Sequence, residues 1–119
     1  MDRDTAILQH ILKYCNLIGK SIERFGDSCE IFENDEDYHS SVCMHMLQIG
    51  ELVGKLSDGF IESTKHEIPW KQIRALRNIF AHAYSSVNYN DIFETAHSDV
   101  RELKAFCEAQ VEKSEVTNE

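Results

Sequence analysis

Pro69-Trp70-Lys71-Gln72-Ile73-Arg74-Ala75-Leu76-Arg77-Asn78-Ile79-Phe80-Ala81-His82-Ala83-Tyr84-Ser85-Ser86-Val87-Asn88 is the stretch on which the reading of this chain turns. It contains the single Pro and the single Trp of the sequence. A Pro costs nothing in the first turn of a helix, where its missing N–H has no intrahelical partner. The spacing therefore predicts a helix from Pro69 to about Tyr84, ended by Ser85-Ser86. At about 100° per residue, with Arg74 set at zero, Leu76, Ile79, Phe80 and Ala83 fall between about 140° and 240°, with Ile73 at about 260°, and form an apolar stripe. Arg77, Asn78, His82 and Tyr84 fall outside it, on the face turned from a core.

Working outward, the same three-and-four spacing recurs on both sides. Ile7, Leu8, Ile11, Leu12, Cys15, Ile18, Ile22 and Phe25 make one face of a first helix, which Gly26-Asp27 ends. Ser28 to Glu36 reads as a loop. A second helix starts near Asn34 or Asp35, either of which can cap it, and carries Val42, Met46, Ile49, Val53 and Leu56 until Asp58-Gly59. Cys43, Met44, Leu47 and Leu52 widen its apolar surface, as expected of a helix facing both a core and a second subunit. Phe60 to Glu67 reads as a connection. A fourth helix, capped by Asn88 or Asn90, carries Ala96, Val100, Leu103 and Val111. No strand-period segment or repeat interrupts the pattern. The expected fold is all-α, an antiparallel four-helix bundle over residues 1–112, with a polar, frayed tail at 113–119.

The bulk composition fits one ordinary domain. Its 119 residues are 42% hydrophobic and 28% charged, enough to bury a single core. No apolar run nears the ~20 residues of a membrane span. The opening Met-Asp-Arg-Asp lacks a signal-peptide pattern, so a cytoplasmic protein is expected. The four cysteines form no CxxC pair, and three lie on apolar stripes, where a thiol acts as a small hydrophobe. Neither a metal site nor a cofactor is expected.

The net charge of −9 opposes broad, non-specific binding to nucleic acid. The charge is uneven, however. Between Lys65 and Ser86, four cations (Lys65, Lys71, Arg74 and Arg77) meet one acid, Glu67. A basic island on an acidic body suits a local anion site. Its chemistry is coherent: an imidazole exchanges protons near neutral pH, and a guanidinium offers a fork of donors to phosphate oxygens. No carboxylate cluster accompanies them, which speaks against two-metal nuclease chemistry. Arg77 and His82, five residues apart, diverge by about 140° on one helix. Two copies face to face would converge them, a geometric reason to expect a homodimer.

Arg77-Asn78-Ile79-Phe80-Ala81-His82-Ala83-Tyr84 resembles the Arg-Asn-x-x-x-His-x-Tyr signature of HEPN proteins, and Ile68-Pro69-Trp70 with Ile73 resembles the HepT-like branch. The resemblance implies a metal-independent ribonuclease, the toxin of a toxin–antitoxin pair, acting as a dimer on RNA. It further implies a minimal nucleotidyltransferase (MNT) partner that silences the toxin, in some cases by adding AMP to the motif Tyr. By position, Arg77 and His82 would be catalytic, Asn78 would shape the site with Arg74 as an auxiliary phosphate contact, and Tyr84 would accept AMP. The run Ser85-Ser86-Val87-Asn88 departs from the Gly- or aromatic-containing segment that often follows the Tyr. A competing expectation is a non-catalytic helical dimer that binds a nucleotide or docks the nucleotidyltransferase.

Overall fold

Seven helical segments are described in a computed structural model that covers residues 2–82 and 88–117, with side chains at 2–78 and 88–115. They are α1 (Arg3–Phe25), α2 (Cys29–Asn34), α3 (Glu36–Val53), α4 (Asp58–Thr64), α5 (Trp70–His82), α6 (Tyr89–His97) and α7 (Asp99–Thr117). Four long members form the framework: α1, α3, α5 and the α6–α7 pair. α1 lies between α3 and α7, and α5 packs on the free side of α3. Cross-links fix the directions. Thr5 of α1 donates to Ser114 of α7 at 3.4 Å, the Tyr14 ring sits 5.8 Å from that of His45 on α3, and the Ser21 and Ser41 hydroxyls lie 3.5 Å apart, so α1 runs antiparallel to both neighbours.

Local chemistry sets the helix ends. Asp2 caps α1 by accepting the Thr5 N–H at 2.7 Å. Gly26 ends α1 with φ 118°, a backbone conformation that only glycine adopts without strain, and its N–H still bonds the Ile22 carbonyl at 3.0 Å. Asp35 caps α3 through the Tyr38 N–H at 3.0 Å, and Asn88 caps α6 through Asp91 at 3.2 Å. Both caps stand where the sequence places them.

Two segments read as connections are helical. Ser28 caps α2 by accepting from Ile31, which lets this six-residue helix drive Phe32 fully into the core against Tyr38 and Phe93. The second helix of the sequence reading closes at Val53 rather than at Asp58-Gly59. Leu56 stays buried just beyond it, in a tightened last turn where Leu56 N–H bonds Val53 at 3.2 Å. Asp58 and Gly59 instead open α4, because Ser57 caps it through Phe60 at 3.2 Å. Ser57 is itself fixed by Asp4 of α1, whose carboxylate accepts its N–H at 2.9 Å and its hydroxyl at 2.6 Å.

The fourth helix of the sequence reading bends at Ser98 into α6 and α7. α6 leans toward α2, with the Phe93 ring on Phe32 and His97 Nε2 at 2.6 Å from Asp27 Oδ1, while α7 follows α1. One straight helix does not serve both partners. α7 continues to Thr117, beyond the Glu112 at which the sequence suggests a polar tail.

Trp70 anchors the start of α5. It is buried against Phe60 and Phe106, and its Nε1–H donates to Thr64 Oγ1 at 2.9 Å. The Thr64 hydroxyl in turn donates to the Phe60 carbonyl at 2.7 Å. Pro69 stands immediately before the helix and supplies the carbonyl for the Ile73 N–H at 3.2 Å. Cys15, Cys43 and Cys107 are free and buried, and burial pushes the first two thiols up to about 12 and the third higher still. Among the described residues, no helix is long and apolar enough to cross a membrane.

Thr64→Val leaves the Trp70 N–H unpaired in the core and is expected to cost about 1–3 kcal/mol, read as a lower urea midpoint at unchanged m. Brief alkylation of the native protein is expected to mark Cys29, the one half-exposed thiol. Intact mass then gives one adduct when folded and four after unfolding, since the buried thiols are neither accessible nor ionised.

Candidate active site

Of the described side chains on α5, Ile73 is buried and Leu76 half-buried, whereas Arg74, Arg77 and Asn78 are exposed, as the wheel drawn from the sequence places them. Trp70 is buried although the wheel sets it on the edge shared by Arg74 and Arg77, and the stripe residues Ile79, Phe80 and Ala83 lie outside the described side chains. His82 is the last residue of α5, but its side chain falls outside the described ones, as does the whole of Tyr84. The convergence of Arg77 with His82 therefore remains an expectation.

What positions Arg77 is a feature of α3. A Cβ built on Gly50 would lie 3.0 Å from the Arg77 backbone nitrogen, 3.1 Å from its Cβ and 3.2 Å from the Ile73 carbonyl oxygen. The helices meet backbone to backbone there, closer than side chains allow. One turn on, a Cβ at Gly54 would lie 3.4 Å from Arg74 Nε. The pair Gly50-x-x-x-Gly54 cuts a notch in α3 into which α5 settles.

The notch brings a carboxylate to the candidate catalytic Arg. Arg77 Nε donates to Glu51 Oε1 at 2.6 Å, and its Nη1 donates to Asn78 Oδ1 at 3.1 Å. Both members of the ion pair remain nearly half exposed (45% and 44%), so the contact contributes at most about 1 kcal/mol to stability. Its value is geometric: with Nε on Glu51 and Nη1 on Asn78 the guanidinium is held on two sides, and the described residues leave the Nη2 donors open. Gly50, Glu51, Gly54, Lys55, Arg74, Arg77 and Asn78 together line a groove of about 290 Å³.

Arg74, Arg77 and Asn78 thus share one groove, and the sequence reading omitted its α3 wall. The available signal was the Gly50/Gly54 spacing inside an otherwise broad apolar helix, which marks a close crossing and places the next residue, Glu51, against the crossing helix. Several histidines have structural settings. His39 pairs its Nδ1 with the Phe32 carbonyl at 3.0 Å and stacks on Tyr89, and burial holds His45 below the usual imidazole range beside Tyr14 and Ser41. Among the described residues, no three His, Cys, Asp or Glu side chains gather as a metal site requires.

Two glycines on the framework are expected to respond in opposite directions to the same change. Gly19 has nothing within 4 Å of an added Cβ, so Gly19→Ala should stabilise by about 0.5–1 kcal/mol through helix propensity. Gly50→Ala meets backbone atoms that cannot swing aside and should destabilise by about 1–3 kcal/mol despite the same propensity gain. Denaturant titration of the two variants checks the pair.

A family model described as "Ribonuclease HepT-like" matches residues 11–110. The chain is 35% identical over 98 residues to Putative RNase TTE0752 of Caldanaerobacter subterraneus subsp. tengcongensis, spanning 82% of this chain and 84% of that one. It is 30% identical over 99 residues to Putative RNase MJ1216 of Methanocaldococcus jannaschii, spanning 83% of this chain and 79% of that one. No solved structure matches it. The family match runs from the first helix into the last and takes in every residue of the groove. The chain belongs to the HepT-like ribonuclease family.

Proposed function

We propose that this chain is a metal-independent endoribonuclease, the toxin of a toxin–antitoxin pair, acting in the cytoplasm. Family membership carries the reading, and the exposed Arg77–Asn78 edge of α5 supports it by offering phosphate donors at the surface. In the reaction the ribose 2′-oxygen attacks the adjacent phosphorus. The 2′-O–P bond forms, the P–O5′ bond breaks, and a 2′,3′-cyclic phosphate and a 5′-hydroxyl result. His82 takes the 2′ proton or gives one to the leaving 5′-oxygen, and Arg77 donates to the non-bridging oxygens as charge builds on them. Asn78 bonds the Arg77 guanidinium and thereby shapes the site, while Arg74 adds a phosphate contact.

The angular divergence of Arg77 and His82 on one helix makes a homodimer the functional unit, with two α5 faces forming a composite site. The antitoxin is a nucleotidyltransferase of the MNT type. AMP on the Tyr84 hydroxyl would bring bulk and negative charge to the motif and oppose an RNA phosphate.

Purified protein is expected to cleave RNA in EDTA and leave cyclic phosphate ends. His82→Ala should lower the rate by about 10²–10⁴-fold while the helical circular dichroism stays unchanged. Full activity in that variant would sink the catalytic assignment and favour the rival reading of a non-catalytic dimer. After co-expression with a neighbouring nucleotidyltransferase, intact mass should rise by one AMP moiety per chain, and Tyr84→Phe should abolish the increase. A gain that survives Tyr84→Phe puts the modification elsewhere.

A further inference from the structure

The groove between α3 and α5 holds more positive charge than Arg77 needs. Lys55, Arg74 and Arg77 line it with a single carboxylate, Glu51, in a chain whose net charge is −9. Glu51 compensates Arg77 at 2.6 Å. Among the described residues no carboxylate pairs with Lys55 or Arg74, and both are exposed. The α3 C-terminus favours one cation through its dipole, which accounts for Lys55 but not for an unpaired Arg74 on the neighbouring helix. Two uncompensated cations lining one small groove repel each other unless an anion joins them.

The steric shape agrees. At Gly54 a Cβ would stand 3.4 Å from Arg74 Nε and 3.8 Å from its Cζ, so any side chain there would occupy the space before the guanidinium. Glycine leaves that space open. A groove of about 290 Å³ lies at the small end of ligand clefts, suited to one phosphodiester with part of its sugar. Arg77 and Asn78 line the same groove, so an anion seated at Lys55 and Arg74 shares it with the candidate active-site residues.

We propose that Lys55 and Arg74, over the Gly54 floor, form a subsite for the RNA phosphate next to the one being cut. The proposal rests on the ribonuclease reading above and extends it. Because Glu51 has already claimed one edge of Arg77, an incoming backbone is drawn first to the uncompensated pair. The reacting phosphate is then delivered to the open donors of Arg77. Lys55 and Arg74 in this role bind substrate and position it, and they touch no reacting atom.

The test uses the His82→Ala protein and a short fluorescein-labelled oligouridylate, with anisotropy read across a salt series. Lys55→Gln and Arg74→Gln are each expected to weaken binding severalfold and to reduce the slope of log K against log salt by about 0.7, one single-strand phosphate contact. Lys13→Gln, on exposed α1, should change neither. With His82 restored, the two groove variants should raise KM and leave kcat near its original value. Unchanged affinity and slope in both, with RNA still cleaved by the unsubstituted protein, overturns the subsite and leaves the ribonuclease reading standing. An equal loss in Lys13→Gln means diffuse attraction and also overturns it. Failure of the unsubstituted protein to cleave any RNA removes the ribonuclease reading, and the subsite falls with it.

Discussion

The contact between Gly50 of α3 and the Arg77 backbone of α5 is the constraint on which the candidate site depends. It has no side-chain energy of its own. Its effect is to let two helices approach until the residues flanking the crossing are forced into one groove. Glu51, one position on, then meets Arg77, and Gly54, one turn on, leaves room before Arg74. A larger residue at 50 would move all of these apart at once, because Arg77 and Ile73 present backbone atoms at the crossing. Packing and chemistry are thus specified by the same position.

The rest of the bundle holds that crossing in place. α3 is fixed from behind by α1, and α5 is fixed at its start by Trp70, buried between Phe60 and Phe106. The acidic excess of the chain lies outside the groove, which concentrates positive potential where α3 and α5 meet. Such a surface discriminates by location: most of it repels a phosphate backbone and one small region attracts it. An acidic protein of a ribonuclease family is therefore not a contradiction in electrostatic terms.

The sequence made the long elements legible for definite physical reasons. α1 carries a continuous apolar stripe bounded by a capping Asp2 and by Gly26, and Asn88 caps α6 as its side chain predicts. On α5 the exposure of Arg74, Arg77 and Asn78 followed from angular position, whereas the burial of Trp70 did not, because it comes from Phe60 and Phe106 on other helices. The six residues of α2 and the seven of α4 complete fewer than two turns each, too few for a period to stand out, and both depend on a serine cap whose effect is local. The bend at Ser98 reflects α6 leaning on Phe32 and Asp27, contacts between segments far apart in sequence. Glu51 and Lys55 escaped notice for a related reason. Each looks like an ordinary surface charge until a neighbouring helix is laid across it, whereas Arg74, Arg77 and Asn78 already stood together on one face.

The caps and anchors described singly also form two short hydrogen-bonded series that share the residue Phe60. The Asp4 carboxylate accepts from Ser57, Ser57 accepts from the Phe60 N–H, the Phe60 carbonyl accepts from Thr64, and the Thr64 hydroxyl accepts from Trp70 at the head of α5. The two parts meet at Phe60 through different peptide groups, and within each part the hydroxyl both donates and accepts, so its two bonds strengthen each other. The opening residues therefore act as a mooring for α4. A chain stripped of the first turn of α1 would retain every groove residue and still lose the acceptor that holds Ser57 at the head of α4, the helix whose Phe60 packs on Trp70.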